Sequence, residues 1–479
     1  MSDNLKNKTA KGLVWGLFNQ GAMQVLNLVF GIVLARLLTP ADYGIVGVLA
    51  VFTMIAQELQ TAGFTQALIN LKEPQHKDYN SVFWFNITMS AFMYLVLFLS
   101  APLIADFFHE PKLLWVSRFV FLAFFISSFG IVANAYMTKH LMMKEMAVIG
   151  IISLLCSGTV GIVLAFLDFS YWALAWQQIT YITVYNIGRY IVVPIRPSLS
   201  FSMEPIKKMY KFAFNMMLTN IVNSLSMKIL TFIFGRMLPM DQVGNYTQAD
   251  KWNITASDTI RCAVNNVAQP VLAEVRDDKE RTLRVLRKMM RFASFVSFPA
   301  MFGLALVSEE FILCTIGEKW HASASLLGLL AVGGSLMPHY ALMKNIVISH
   351  HRSMLYMWLC VVQIIFQIAI AIGFARFGMY YVVLAFVVYT VLYFFVWHFF
   401  TKPITGYSLF ALMKDIMPFA LISLATMTAA YFATSFITNN WLLLLSRMVV
   451  AAIIYVGILK LLKAEVLNEA LSFVQHKQA

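Results

Sequence analysis

The chain has 479 residues, of which 60% are hydrophobic and only 12% are charged. Soluble domains carry about 25% charged residues, so this composition excludes a water-soluble protein and indicates an integral membrane protein. The four cysteines show no paired spacing, which argues against a disulfide framework or a metal site. The net charge of +13 first suggests a nucleic-acid partner, but the distribution of lysine and arginine described below explains the charge without one.

Apolar runs along the chain predict an all-α membrane protein with about fourteen transmembrane helices, because one span requires about 20 mostly apolar residues. The first run follows a short basic start and is too long for the core of a signal peptide, so we interpret it as a retained span. The predicted spans cover residues 12–35, 43–66, 81–105, 113–135, 146–167, 171–193, 210–234, 243–272, 291–313, 323–347, 353–375, 378–400, 412–436 and 441–463.

The positions of lysine and arginine indicate the orientation of these spans. If the N-terminus lies in the cytoplasm and the spans alternate, 25 of the 36 lysine and arginine residues fall on the cytoplasmic side and 6 on the opposite side. Such an excess is the positive-inside pattern of membrane proteins. An even number of spans then places both termini in the cytoplasm.

A short sequence occurs twice, with the two copies 200 residues apart. Arg36–Gly44 reads RLLTPADYG, and Arg236–Gly244 reads RMLPMDQVG. Each copy ends a long apolar run that begins after a lysine, Lys11 in one case and Lys211 in the other. The repeat predicts two related membrane-embedded halves in the same orientation, an arrangement typical of transporters that hold cargo between their halves.

The repeat and the spans together predict four regions. The linker between the halves carries prolines and a basic cluster and is expected to lie at the membrane interface. The predicted regions are an N-lobe of six spans at residues 1–195, the linker at 196–211, a C-lobe of six spans at 212–402, and two additional spans with a cytoplasmic tail at 403–479.

Polar residues within the predicted spans are the candidate cargo-binding positions, because charge in a bilayer core is expensive and normally faces a wet cavity or a partner. Five cations fall inside spans: Lys228, Lys251, Arg261, Lys344 and Arg447. The acidic candidates for ion coupling or ion pairing are Glu58, Asp250 and Asp258. The seventh and eighth spans add the polar positions Asn220, Asn223, Ser224 and Asn265.

Two interpretations of these residues remain open. In one, they line a water-filled lumen whose cations hold an anionic cargo. In the other, they form intramembrane ion pairs or extend to the interface, and only hold helices together. Lys251, Asp258 and Asn265 are seven residues apart and share a helix face. Asp258 and Arg261 have the i,i+3 spacing of a salt bridge.

The basic stretch 276–291 carries an apolar stripe and is expected to lie on the anionic inner leaflet as an amphipathic helix. No phosphate-binding loop or catalytic arrangement of residues occurs along the chain, so no enzymatic activity is predicted.

The start of the chain, with KGLVW at Lys11–Trp15 and LARLLTPADYG at Leu34–Gly44, resembles bacterial polysaccharide flippases of the Wzx type, and most of all their WzxC-like branch. These proteins belong to the multidrug/oligosaccharidyl-lipid/polysaccharide exporter superfamily. The resemblance extends over the whole chain as a basic start, two six-span lobes and two added spans.

The resemblance implies a transporter of the bacterial inner membrane that moves an undecaprenyl-pyrophosphate-linked oligosaccharide from the cytoplasmic to the periplasmic leaflet by alternating access. It also implies that no cofactor is bound and that transport is coupled to a proton or sodium gradient. The expected partners are membrane lipids and the polymerase and assembly proteins of a surface polysaccharide. Lumen cations would attract the pyrophosphate. The positions that fit this role are Lys228, Lys251, Arg261 and Lys344, followed by Arg447.

A lipid II-type flippase and a cation-coupled multidrug exporter belong to the same superfamily and remain alternatives. The drug exporters typically have an acidic residue in the first span, where this chain has Asn19, Gln20 and Asn27. A glycan polymerase or ligase would need large outward loops, and those predicted here are short.

Overall fold

The computed structural model describes residues 3–61, 64–207, 209, 221, 229–275, 278–350 and 352–462. Within these residues the regular secondary structure is helical, without a strand, as the sequence predicts. The chain divides into two compact units, Met1–Gly244 and Asn245–Ala479. The predicted lobes follow the sequence repeat rather than compactness, and their boundaries stay a prediction.

The first unit begins with the helices α1 (Asp3–Leu37), α2 (Pro40–Thr61), α3 (Phe64–Asn70), α4 (His76–Phe108), α5 (Leu113–Ser128), α6 (Ile131–Lys139), α7 (Met143–Phe166) and α8 (Tyr171–Val192). A helical segment at 229–237 follows, and α9 (Met240–Glu274) begins at the end of this unit. The second unit continues with α10 (Lys279–Leu306), α11 (Ser308–Thr315), α12 (His321–Gly334), α13 (Met337–Ser349), α14 (Ser353–Phe374), α15 (Met379–Thr405), α16 (Leu409–Thr434) and α17 (Asn440–Leu461).

The helices establish a multi-pass membrane protein. Among the described residues, 10 helical segments are long and apolar enough to cross a membrane, or up to 11 if the bent pair α5 and α6 is one span. The predicted count of about fourteen is not confirmed. α8 and α9 are long enough but do not belong to that set, because both carry many polar residues, and the predicted span 210–234 lies mostly outside the described residues.

Both copies of the repeated sequence end one helix and begin the next. α2 begins at Pro40 and α9 begins at Met240. The two helix starts are therefore separated by the same number of residues as the two copies of the sequence. In the first copy, the Asp42 carboxylate accepts hydrogen bonds from the Thr39 backbone N–H at 2.8 Å and from the Thr39 hydroxyl at 2.7 Å. These bonds fix the chain at the N-terminus of α2, where backbone N–H groups lack helical partners.

A glycine closes each copy and allows the two helix starts to touch. A side chain at Gly44 would overlap the backbone carbonyl of Met240, and a side chain at Gly244 would overlap that of Pro40. The contact is reciprocal, and all four residues belong to the first unit. The repeat therefore contains a helix crossing that needs glycine on both sides.

The span formed by α5 and α6 is broken by a bend of 44°. One face of α8 covers the break, because Asn186, Arg189 and Tyr190 each donate a side-chain hydrogen bond to a backbone carbonyl within 126–130, at 2.7, 3.3 and 2.6 Å. A side chain at Gly130 would overlap the amide of Asn186. The carbonyls of Ile126 and Gly130 also accept backbone hydrogen bonds, at 3.3 and 2.9 Å, so the side chains of α8 add bonds to the break and tie it to a neighbouring helix.

The basic stretch that was expected to lie on the inner leaflet is instead the first part of a continuous helix of 28 residues, α10. Leu286 and Met290 are buried in the core of the second unit, and Leu283 and Met289 pack against the same core. The surface-helix prediction is therefore wrong for the described residues from Lys279 onward, because the apolar stripe faces protein rather than lipid.

A buried carboxylate fastens α10 to α16. Asp415 accepts hydrogen bonds from Arg287 Nε at 2.7 Å and from Arg291 Nε at 2.6 Å, and the Tyr407 hydroxyl donates to it at 2.8 Å. Burial raises the pKa of Tyr407, and its bond to Asp415 raises that pKa further, so the hydroxyl remains a donor at neutral pH. The charge of the buried carboxylate is thereby compensated.

Candidate functional site

Helix α9 carries a polar face inside the second unit. Asp258, Arg261 and Asn265 occupy positions i, i+3 and i+7 and therefore lie on one side of the helix. Arg261 Nε donates to Asp258 Oδ1 at 2.8 Å, which is the salt bridge that the spacing predicts. The two side chains remain 31% and 37% exposed, so an ion or a headgroup can reach them.

Helix α13 brings a second cation to this face. Asn345 Nδ2 donates to Asn265 Oδ1 at 2.9 Å and so joins α13 to α9. Lys344 precedes Asn345, and its Nζ lies 5.9 Å from the ring centre of Tyr356 and 5.7 Å from that of Trp397. These are cation–π distances, so two aromatic rings from α14 and α15 hold the ammonium group in place.

We call this group of five residues the cationic cluster: Asp258, Arg261, Asn265, Lys344 and Asn345. The positive charges of Arg261 and Lys344 act on one another, and within the cluster only the one carboxylate opposes them. Because one positive charge of the cluster is left over, the cluster attracts an anion such as a phosphate. Within the described residues, no group of three or more His, Cys, Asp and Glu side chains is placed to hold a metal ion.

Lys251 lies on α9 but apart from the cationic cluster. It precedes Arg261 by ten residues, about 15 Å along a helix. Its side chain is exposed, and its Nζ is 5.9 Å from the ring centre of Trp252. Asp250 is half-buried on the same helix, and Glu58 is half-buried near the end of α2 in the first unit. Their predicted roles in binding or ion coupling stay predictions.

Arg447 is placed in a different environment from the other cations. It is 7% exposed, and its Nη1 donates to Glu310 Oε1 at 2.5 Å and to the Leu306 carbonyl at 3.3 Å. Its guanidinium carbon lies 4.9 Å from the ring centre of Tyr431. These are the contacts of a structural ion pair that joins α17 to α10, α11 and α16.

Sequence reasoning missed Glu310, although the residue lies within the predicted span 291–313. The structure has the short helix α11 there. The available signal was an acidic residue followed by four apolar residues, FILC. The other missed residues are Tyr356 and Trp397, whose aromatic side chains resemble many others in the spans. The predicted site residues Lys228, Asn220, Asn223 and Ser224 lie outside the described residues and stay predictions.

A family model described as "Polysaccharide biosynthesis protein" matches residues 33–325, which is more than half of the chain. The chain belongs to this family. The matched range includes both copies of the repeat and the α9 part of the cationic cluster, whereas Lys344 and Arg447 follow it.

Curated relatives carry related names. The chain is 26% identical over 338 residues to the "Succinoglycan biosynthesis transport protein ExoT" of Rhizobium meliloti (strain 1021), a match that covers 70% of this chain and 68% of that protein. It is also 26% identical over 339 residues to the "Lipopolysaccharide biosynthesis protein WzxC" of Escherichia coli (strain K12), with the same coverage of both chains. These matches agree with the resemblance that the N-terminal motif carries.

Solved structures show the fold. "Lipid II flippase MurJ, inward closed conformation" superposes with a TM-score of 0.75 at 14% identity and covers 92% of this chain and 97% of that one. An inward-facing "multidrug resistance MATE family transporter of the MOP superfamily" superposes with a TM-score of 0.63 at 16% identity, over 81% and 96% of the two chains. The chain therefore has the fold of these two transporters.

Proposed function

We propose that the protein flips an undecaprenyl-pyrophosphate-linked oligosaccharide from the cytoplasmic to the periplasmic leaflet of the bacterial inner membrane, by alternating access, for the synthesis of a surface polysaccharide. Membership in the polysaccharide biosynthesis family supports the pathway, and the transporter fold supports movement across a membrane. The observation that carries the cargo assignment is the surplus positive charge of the cationic cluster within the predicted spans 243–272 and 323–347, since a pyrophosphate is the anionic part of such a lipid.

The cationic cluster is suited to a transient contact. A fully desolvated and paired cation would hold its partner permanently, whereas Arg261 already shares its charge with Asp258 and stays partly exposed. Lys344 is half-buried beside two aromatic rings, and its ammonium group has three N–H donors that can bond to phosphate oxygens. Attraction without deep burial allows the headgroup to enter from one leaflet and to leave toward the other.

The coupling energy comes, in this proposal, from a proton or sodium gradient. Glu58, Asp250 and Asp258 are the acidic candidates, and Asp258 is favoured because its carboxylate contacts Arg261 directly. Protonation of Asp258 or cation binding to it would release Arg261 toward the cargo. The distribution of positive charge supports a cytoplasmic position for both termini, and polymerase and assembly proteins are the expected partners on the periplasmic side.

The test uses the purified full-length protein in vesicles that contain a lipid-linked oligosaccharide. A sugar-oxidising enzyme added outside reports the fraction of headgroups that reaches the outer leaflet. The expected result is rapid access with the native protein and slow access with Arg261→Ala and Lys344→Ala together, while a Lys402→Ala control keeps the native rate. Equal access in vesicles with and without protein would contradict the proposal.

A lipid II-type flippase is the second candidate, and the TM-score of 0.75 to MurJ is the observation that favours it. Both cargoes carry a pyrophosphate and the same kind of lipid, so the cationic cluster does not separate them. Supplying lipid II in the same vesicle assay does, because only one of the two cargoes should reach the outer enzyme at the rate of the native substrate.

A further inference from the structure

The linker after α8 runs along the first turns of α4 and is held there by hydrogen bonds. Asn80 accepts from the Ser198 backbone N–H at 2.8 Å through Oδ1 and donates through Nδ2 to the Ser200 carbonyl and, at 3.1 Å, to the Ser200 hydroxyl. Trp84 Nε1 donates to the Ser198 carbonyl at 2.6 Å, and Ser81 Oγ accepts from Ser202 N–H at 3.3 Å. We call residues 197–203 the linker strap.

The residues that alternate with the bonded serines carry large apolar side chains, although Ser198 and Ser200 are exposed as well. Leu199 is 93% exposed, Phe201 is 52% exposed and Met203 is 50% exposed. Hydrogen bonds to α4 thus recur at every second residue, Ser198, Ser200 and Ser202, which is the period of an extended chain, and a short helical segment begins at Met203. The strap therefore presents a polar edge to α4 and a row of three large apolar side chains away from it.

We propose that Leu199, Phe201 and Met203 insert into the boundary between headgroups and acyl chains of the leaflet in which α4 begins, the cytoplasmic leaflet in the predicted topology. The strap follows the end of α8, which the sequence predicts as the span 171–193, and passes the start of α4. In that topology the ends of both helices lie at the level of the headgroups. Exposed cations flank the row at Arg196 and Lys207, and they match the anionic surface of that leaflet.

A second copy of the chain is less suited than lipid to cover these three side chains. A stable protein interface buries about 1,200–2,000 Å², and three side chains on a narrow strap supply only a small part of that area. Lipid needs no such area, because each apolar side chain gains contact with acyl chains on its own while the flanking cations contact phosphates.

Asn80 determines which side chains of the strap face the lipid. It is 2% exposed, and its single amide group binds backbone atoms of two successive serines, which fixes the register of the strap on α4. Because odd and even residues of the strap point to opposite sides, this register decides that the apolar row, and not the serines, meets the lipid. The strap then holds the start of the inter-lobe linker at the membrane surface.

The experiment measures depth in vesicles of phosphatidylethanolamine and phosphatidylglycerol. The four native cysteines are replaced by serine, and a spin label is attached to Leu199→Cys, Phe201→Cys, Ser200→Cys or Glu73→Cys. Labels at the first two positions are expected to collide more often with oxygen, which partitions into lipid, than with a water-soluble nickel chelate. Labels at Ser200 and at the exposed loop residue Glu73 are expected to show the reverse.

Two outcomes overturn the proposal. Labels at Leu199 and Phe201 that collide with the nickel chelate as often as the label at Glu73 would place the row in water. Exclusion of both reagents, together with spin–spin broadening that grows with protein density, would assign the row to a second copy of the chain.

The role of Asn80 is tested with Asn80→Ala in the Phe201→Cys protein. The ratio of collisions with oxygen to collisions with the nickel chelate is expected to fall toward the ratio measured at Glu73. An unchanged ratio contradicts the role of Asn80. None of these measurements uses transport activity, so they are independent of the proposed function.

Discussion

Lys344 differs from the other described cations of the predicted spans because its ammonium group lies beside two aromatic rings, at 5.9 Å from Tyr356 and 5.7 Å from Trp397. A hydrogen bond to a charged group contributes about 1.5–3 kcal/mol. We therefore expect Lys344→Met to lower the initial rate of headgroup transfer in vesicles by about 10- to 100-fold, while Lys344→Arg retains a larger part of the rate. Lys402→Met, at an exposed position that the charge distribution predicts to be cytoplasmic, is the matched control and should keep the native rate.

The same measurement separates binding from structure at Lys344. If Lys344→Met transfers headgroups at the native rate, the ammonium group has no part in transport and the cationic cluster loses one of its two cations. If Lys344→Met and Lys344→Arg unfold at a lower temperature than the native protein by equal amounts, the residue stabilises the fold through its packing instead.

We expect the ion pair of Arg447 and Glu310 to stabilise the fold rather than to bind cargo. Removing one partner of a buried pair leaves an uncompensated charge and costs about 3–5 kcal/mol, whereas replacing both by apolar residues is often neutral. Glu310→Leu and Arg447→Met are each expected to lower the thermal unfolding midpoint of the purified protein, and the double variant is expected to recover most of the loss.

Transport provides the control for that prediction. The double variant should still transfer headgroups in vesicles, because neither residue belongs to the cationic cluster. A double variant that is stable but inactive would return Arg447 to the list of cargo-binding residues, where the sequence first placed it.

At the scale of elements, the repeated sequence shows how a local pattern specifies a contact between distant helices. Both helix starts, at Pro40 and Met240, follow from proline and acidic residues at positions that favour helix N-termini. The glycine at the end of each copy has no local purpose in a helix, where it costs about 0.5–1 kcal/mol relative to alanine. Its purpose is the crossing, in which a side chain would overlap a backbone carbonyl.

This crossing predicts that Gly44→Ala and Gly244→Ala destabilise the protein, although alanine is the better helix former. Backbone cannot yield as a flexible side chain does, and overpacking of this kind costs about 1–3 kcal/mol. Gly457→Ala in α17 is the control, because a side chain there meets nothing within 4 Å and should leave stability equal or higher. Unfolding midpoints of the three purified variants test the prediction, which fails if Gly44→Ala behaves like Gly457→Ala.

At the scale of the whole molecule, the sequence predicted what depends on neighbours along the chain. The helical class, most spans, the repeat and the bond between Asp258 and Arg261 all follow from hydropathy, period or short spacing. Contacts between distant residues did not follow. Glu310 and Arg447 are separated by 137 residues, and only the packing of their helices brings them together. The apolar stripe of α10 likewise could not reveal whether lipid or protein would cover it.

The orientation of the whole chain rests on the positive-inside distribution, and the two ends of α15 test it. Arg376 and Lys402 are both exposed and stand at opposite ends of this helix of 27 residues, about 40 Å apart at 1.5 Å per residue. In a chain whose four cysteines are replaced by serine, Arg376→Cys should react in intact cells with a thiol reagent that does not cross the inner membrane. Lys402→Cys should react only after the cells are broken, because the excess of cations keeps its end of α15 in the cytoplasm. The opposite pattern would invert the chain in the membrane, and with it the direction in which the proposed cargo enters and leaves.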